Sequence, residues 1–144
     1  MKKCVIVYNP NSGKKIKKDF LAAFIDILLE YEYVPEVIFS KYKGHIIKIV
    51  SELDNPDLVI SIGGDGTFNE SMTGNLKRTN RLLLAHIPVG TTNDIGAMFG
   101  YGKDIIENLK MLLDGEEKNI DICTINDRPF VYVAGFGKFM NVPY

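Results

Sequence analysis

Apolar residues along this chain change period repeatedly, and each change marks an element. Cys4 to Tyr8 is an unbroken apolar run bounded by Asn9-Pro10-Asn11-Ser12-Gly13, the pattern of a buried strand ending in a turn. The period then becomes helical. Ile16, Phe20, Ala23, Phe24, Ile27, Leu28 and Tyr31 recur at three- and four-residue spacing, with Lys15, Lys18, Asp19, Asp26 and Glu30 elsewhere. Val34 to Ser40 reads as a second strand. Ile46, Ile47, Ile49, Val50 and Leu53 mark a second amphipathic helix that starts after Gly44 and is stopped by Asn55-Pro56. Leu58–Ile62 is a third strand, Thr67 to about Arg78 a third helix, and Leu82–Val89 a fourth strand with Pro88 near its end. Two further helical pieces run to Asp114-Gly115. The runs Asn119–Ile125 and Phe130–Ala134 then flank Asn126-Asp127-Arg128-Pro129 as a hairpin.

Strands alternating with helices require crossover connections, which build a parallel sheet covered on both faces. The predicted fold is therefore α/β: a Rossmann-like, open, mostly parallel sheet with helices on both sides. Ligands of such sheets bind beyond the carboxyl ends of the strands. The loops at 9–14, 40–44, 63–67 and 90–94 all follow strands and should gather on that edge.

With 144 residues, 46% hydrophobic and 24% charged, the chain has the profile of one globular domain with a real core. A net charge of −1 gives no basic surface for nucleic acid, so any anion site must be local. Cys4 and Cys123 stand far apart in apolar runs without metal-ligand spacing, and both read as buried thiols of a reducing compartment. Met1-Lys2-Lys3 precedes too short an apolar run for a signal segment, and no run approaches the roughly 18 residues of a membrane span. A cytoplasmic protein without a transmembrane segment is expected.

The candidate chemistry centres on Gly63-Gly64-Asp65-Gly66-Thr67-Phe68-Asn69-Glu70, three glycines and one acid between a strand and a helix. Glycines let backbone N–H groups close on an anion, and the helix N-terminus adds positive potential. One carboxylate there suits a metal ion or ordered water rather than direct contact with phosphate. The stretch is not a dinucleotide fingerprint, because Asn69 stands where the third glycine is needed. Gly13-Lys14-Lys15 likewise fails the Walker A pattern. Bland readings exist for the same residues. Thr67 and Glu70 have capping-box spacing, Asp65 suits a turn, Asn93-Asp94 suits a helix start, and Lys14 to Lys18 suit a solvated face, with Lys14 close enough to favour phosphate. His45 and His86 have no partner spacing; an exposed helix-start residue and a strand residue are expected.

Taken together, Asn9-Pro10-Asn11-Ser12-Gly13, Gly63-Gly64-Asp65-Gly66-Thr67 with Asn69-Glu70, and Pro88-Val89-Gly90-Thr91-Thr92-Asn93-Asp94 resemble the three nucleotide-site motifs of the diacylglycerol kinase catalytic domain. The likeness runs from about Val5 to Gly137, in order and spacing. Gly-Gly-Asp-Gly alone is shared with sphingosine, ceramide and NAD kinases and phosphofructokinases; the first and third loops point to the soluble bacterial lipid kinases. The resemblance implies an ATP pocket of Asn9, Pro10, Asn11, Ser12, Gly13, Ser40, Gly63, Gly64, Asp65, Gly66, Thr67, Asn69, Glu70, Gly90, Thr91, Asn93 and Asp94. Asp65 would be the catalytic residue, its carboxylate acting through Mg²⁺ or ordered water at the phosphates. It implies a nucleotide domain over 1–128, and over 129–144 the start of a largely β, lipid-binding domain carrying the general base, most of the lipid cleft and a structural metal site. The implied reaction is ATP-dependent phosphorylation of diacylglycerol to phosphatidic acid in phospholipid biosynthesis, by a cytoplasmic enzyme meeting its lipid at the membrane surface. The alternatives are another alcohol acceptor, such as a sphingoid base, another glycerolipid or NAD, or a stand-alone nucleotide-binding or regulatory module. Phe130-Val131-Tyr132-Val133-Ala134, an apolar edge, leads to the expectation of a homodimer.

Overall fold

The computed structural model describes residues 1–11, 20–89 and 100–117, with the backbone of 123–125 and 128–130. In chain order the described elements are β1 (Lys2–Tyr8), α1 (Phe20–Glu30), β2 (Tyr33–Phe39), α2 (His45–Glu52), β3 (Leu58–Gly63), α3 (Asp65–Leu76), β4 (Leu84–Pro88), α4 (Ile105–Asp114), β5 (Cys123–Ile125) and β6 (Arg128–Phe130). β1 to β4 form one parallel sheet in the order β2-β1-β3-β4, as the strand–helix alternation predicts.

Side chains alternate across a strand, so the unbroken apolar run of β1 feeds two cores at once. Cys4, Ile6 and Tyr8 join Leu58, Ile60, Ile62 and Ile87 against Phe24, Ile27 and Leu28 of α1 and Leu109 of α4. Val5, Val7 and Val59 face the other way, onto Ile46 and Val50 of α2. α3 lies on that second side beside α2. A Cβ built at Gly74 would come 2.5 Å from the Ile47 carbonyl oxygen and 3.0 Å from Val50 Cβ, so the two helices meet backbone to backbone. Arg78, just past α3, holds the end of α2 in place. Its guanidinium donates to the carbonyls of Val50 (3.0 Å) and Leu53 (2.8 Å), to the Asn55 side chain (2.8 Å) and to the Asn80 carbonyl (3.0 Å).

Several boundaries differ from the sequence reading for physical reasons. β4 starts at Leu84 because the Asn75 side chain takes both backbone groups of Leu82, accepting from its N–H at 2.8 Å and donating to its carbonyl at 3.0 Å. In the hairpin, Thr124 pairs with Pro129 and Ile125 with Arg128, so Arg128 and Pro129 are strand residues rather than turn residues. Residues 16–19 of the first predicted helix, 131–134 of the last predicted strand, the Cys123 side chain, and nearly all of the piece expected before Ile105 lie outside the described residues. Cys4 is fully buried, and burial pushes its thiol up to about 12, which leaves it unreactive at neutral pH.

Candidate functional site at the carboxyl edge of the sheet

Each described strand end is tied to its neighbour by one backbone hydrogen bond. Ser40 N–H donates to the Tyr8 carbonyl at 2.9 Å, Asn9 N–H to the Ile62 carbonyl at 3.2 Å, and Val89 N–H to the Gly63 carbonyl at 2.9 Å. The loops after β2, β1, β3 and β4 therefore leave the sheet side by side. From β1 the chain continues to β2 on one flank, and from β3 it continues to β4 on the other. The ends of β1 and β3 are therefore the topological switch point, the position at which open α/β sheets place their ligands.

On the β1 side, Asn9 folds its own loop: its Oδ1 accepts from Asn11 N–H at 3.0 Å, an Asx-turn. Ser40 sits just past β2 and is buried. On the β3 side, α3 starts at Asp65 with Gly64 as its N-cap, and no side chain caps it. This removes the capping-box reading, because Thr67 lies inside the first turn and its N–H donates to the Gly64 carbonyl at 3.0 Å. It also moves Asp65 from a turn into the helix, where an acid is favourable beside the first-turn N–H groups.

The glycines of this turn have different reasons to be glycine. A Cβ at Gly63 would stand 2.6 and 2.8 Å from Cβ and Cγ2 of Thr67, so the strand and helix meet there without room for a side chain. Gly64 has φ −88° and ψ −170°, extended backbone that any residue adopts. A Cβ at Gly66 would meet nothing within 4 Å, and the residue is exposed. Packing therefore does not demand glycine at Gly66, although alanine would make a better helix. The space left open lies at the positive end of α3, where first-turn N–H groups have no helical partner.

The remaining predicted residues of α3 divide. Thr67 is buried against Gly63, and its carbonyl accepts from Ser71 Oγ at 2.9 Å. Asn69 is exposed, with its carbonyl taken by Thr73 Oγ1 at 2.8 Å. Glu70 is half-buried, and its Oε1 has no hydrogen-bond partner among the described residues. Ser12, Gly13, Gly90, Thr91, Asn93 and Asp94, with Lys14 to Lys18, lie outside the described residues. Among the described residues no three His, Cys, Asp or Glu side chains are grouped for a metal. A cation at this turn would rest on Asp65 and on phosphate oxygens, a donor set that suits Mg²⁺.

One feature under the site escaped the sequence reading. Ser61 of β3 and His86 of β4 are paired in register on the α3 side, with Ser61 Oγ 2.7 Å from His86 Nδ1. The imidazole is buried, lies 5.1 Å from the Phe68 ring of α3, and its Nε2 has no partner among the described residues. Desolvation pushes its pKa down to about 4, partly opposed by the hydrogen bond to Ser61, so the ring is neutral at physiological pH. A serine inside a strand covered on both faces was the available signal. His45, expected to be exposed, is half-buried: its Nδ1 accepts from Lys41 N–H at 2.9 Å and its ring stacks on Tyr42. A cavity of about 520 Å³ lies elsewhere, along β4 between Phe68, His86, Tyr101 and Met111, and none of the carboxyl-edge loop residues lines it.

This arrangement can be set beside known proteins. The sequence profile of the diacylglycerol kinase catalytic domain matches residues 3–125, which include every described site residue. The chain belongs to that family. The diacylglycerol kinase of Bacillus subtilis is 35% identical to it over 147 aligned positions, covering 100% of this chain and 48% of the relative. That of Staphylococcus epidermidis is 35% identical over 99% of this chain and 46% of the relative. A crystal structure of a diacylglycerol kinase from Bacillus anthracis superposes with a TM-score of 0.79 at 28% identity, covering 91% of this chain and 48% of that one. The chain thus spans about half the length of the family members it matches. Among its described residues no helix is long and apolar enough to cross a membrane.

Proposed function

We propose that this chain is the nucleotide-binding half of an ATP-dependent lipid kinase that transfers the terminal phosphoryl group of ATP to the hydroxyl of diacylglycerol, giving phosphatidic acid. The observation that carries the reading is the turn into α3. It stands at the switch point beside Asn9, opens a helix at Asp65, and keeps a space at Gly66 that the chain's own packing does not require. In this reading the first-turn N–H groups of α3 and the loop from Asn9 to Gly13 hold the phosphates, while Ser40 and the Gly90–Asp94 loop, with Thr91, Asn93 and Asp94, complete the pocket.

Phosphoryl transfer asks for positioning and charge neutralisation more than for covalent help from the protein. The backbone groups at Gly64 to Gly66 would hold the transferring group where its charge is matched by the helix terminus. Asp65 would fix the side of the phosphates from which the acceptor approaches. Asp65 would hold Mg²⁺ at this turn, and the ion would supply positive charge to offset that of the phosphates. The acceptor's proton goes to a base on a second, largely β domain that begins near residue 129, and the lipid reaches it from the membrane surface. The nucleotide half occupies residues 1–128, and the assembled enzyme is a dimer.

Calorimetric titration of the 144-residue chain with Mg-ATP, paired with phosphoryl transfer to diacylglycerol in mixed micelles, tests the reading. Saturable Mg-ATP binding by the chain is expected, with lipid phosphorylation only once the missing half is joined to it. Absence of Mg-ATP binding by the folded chain would refute the reading. Binding with no transfer to diacylglycerol, even by the joined protein, would move the assignment to another alcohol acceptor or to a nucleotide-binding module.

A further inference from the structure

We propose that the stacked pair Tyr42 and His45 is the platform on which the base of the bound nucleotide lies. The inference rests on the reading of the α3 turn as the phosphate site of ATP. From β3, which carries that turn, to β2 is two strand positions, so the β2 loop lies about 10 Å along the carboxyl edge at ~4.8 Å per strand. That is the span between the phosphates of a nucleoside triphosphate and its base. The nearer strand, β1, supplies Asn9. The farther one supplies Ser40 and then the turn from Lys41 to Gly44.

This turn is built to hold an aromatic plate. His45 is the first residue of α2, and its Nδ1 accepts from Lys41 N–H at 2.9 Å while its own N–H donates to the Tyr42 carbonyl at 3.1 Å. Gly44, at φ +90°, supplies the left-handed conformation that closes the loop. Because a backbone N–H only donates, Nδ1 must be the unprotonated nitrogen, which fixes both the tautomer and the plane of the ring. Tyr42 lies parallel on that plane, 4.5 Å between centroids and 15° between rings. Its side chain is nevertheless 59% exposed, with half-exposed Phe39 three residues away.

A tyrosine backed on one side by a fixed imidazole and open on the other loses little entropy when a flat ring settles on it. Stacking of this kind accepts any base, so Tyr42 should add affinity for nucleotides over bare phosphate chains without choosing strictly among purines. His45 is then a positioning residue that acts through Tyr42.

The test is calorimetric binding of Mg-ATP and of Mg-tripolyphosphate to the 144-residue chain and to its Tyr42→Ala and Tyr42→Phe variants. Base stacking on an aromatic ring predicts about tenfold weaker ATP binding by Tyr42→Ala, unchanged tripolyphosphate binding, and near wild-type ATP binding by Tyr42→Phe. ATP affinity unaffected by Tyr42→Ala overturns the platform while leaving the phosphate site standing. An equal loss for both ligands also overturns it, since the residue would then be serving the fold of the turn. A wild-type chain that binds neither ligand overturns the phosphate reading and the platform with it.

Discussion

Acidification from neutral pH toward pH 4 should destabilise this protein through His86, and replacing that one residue should remove much of the effect. In the folded chain the imidazole is buried against Phe68 with Ser61 as its hydrogen-bond partner, and its pKa falls from the usual 6.5 to about 4. In the unfolded chain it titrates normally. Between those values the unfolded state binds more protons, so stability rises with pH. His86's contribution is complete above about pH 6.5 and is lost as pH falls toward 4. A separation of about 2.5 pH units corresponds to ~3 kcal/mol at 1.36 kcal/mol per unit, a large share of the margin of a small domain. The perturbation is His86→Leu, which keeps an apolar group under α3 and leaves Ser61 Oγ its second partner, the Ala85 carbonyl at 3.3 Å. Urea unfolding at pH 7, 5.5 and 4.5 gives the free energies for both proteins. Carboxylates that titrate in the same range contribute equally to the two and cancel in the difference. The wild type should lose ~2–3 kcal/mol more than His86→Leu over this range. Parallel losses would show that His86 takes its proton without unfolding the protein, and the reasoning from burial would fail.

Three further substitutions probe the site and its support. Gly66→Ala should raise the melting temperature, by up to ~1 kcal/mol of helix propensity, and weaken Mg-ATP binding at least tenfold; unchanged affinity would mean that the open space serves no ligand. Asp65→Asn in the complete enzyme should leave the melting temperature nearly unchanged and lower the phosphoryl-transfer rate by ~100-fold or more, and full activity would count against the role at the phosphates. Arg78→Lys should cost ~2 kcal/mol in chemical denaturation, because an ammonium has no fork to reach the Val50, Leu53 and Asn55 oxygens together; a loss under ~0.5 kcal/mol would show that this clamp is not holding α2.

The sheet was legible because Cys4–Tyr8 of β1 and, apart from Ser61, Leu58–Ile62 of β3 are unbroken apolar runs, a pattern of strands covered on both faces, and because helical spacing separates them. The start of α3 was misplaced for an equally physical reason. Thr67 and Glu70 have capping-box spacing, and Gly64-Asp65-Gly66 looks too flexible to be helix, yet the helix begins at Asp65 and Thr67 turns inward against Gly63. The strand boundary at Leu84 depends on Asn75, a side chain from the preceding helix, which no local pattern reveals. His86 is the strand residue the sequence predicts, but its burial against α3 and its pairing with Ser61 were beyond periodicity. On a strand covered on both sides alternation does not say which cover a residue meets, and its partner Ser61 is 25 residues away.

The two sorts of glycine in one short motif separate structure from function more sharply than the motif itself. At Gly63 the requirement is internal: a methyl group would collide with Thr67, so alanine there should destabilise by ~3 kcal/mol whatever the protein binds. At Gly66 the fold gains nothing from glycine and forgoes helix stability to keep it. A residue that weakens its own helix, at the helix end with positive potential, beside the switch point of a parallel sheet, stands where the proposed nucleotide would lie. An anionic phosphate chain matches that position in charge, while Asp65, one residue away, would repel it without a cation between them. In the proposed reading the acid and the open glycine answer one ligand, a metal-bound polyphosphate, with Asp65 also suited to the first turn of α3 and Gly66 unexplained by packing.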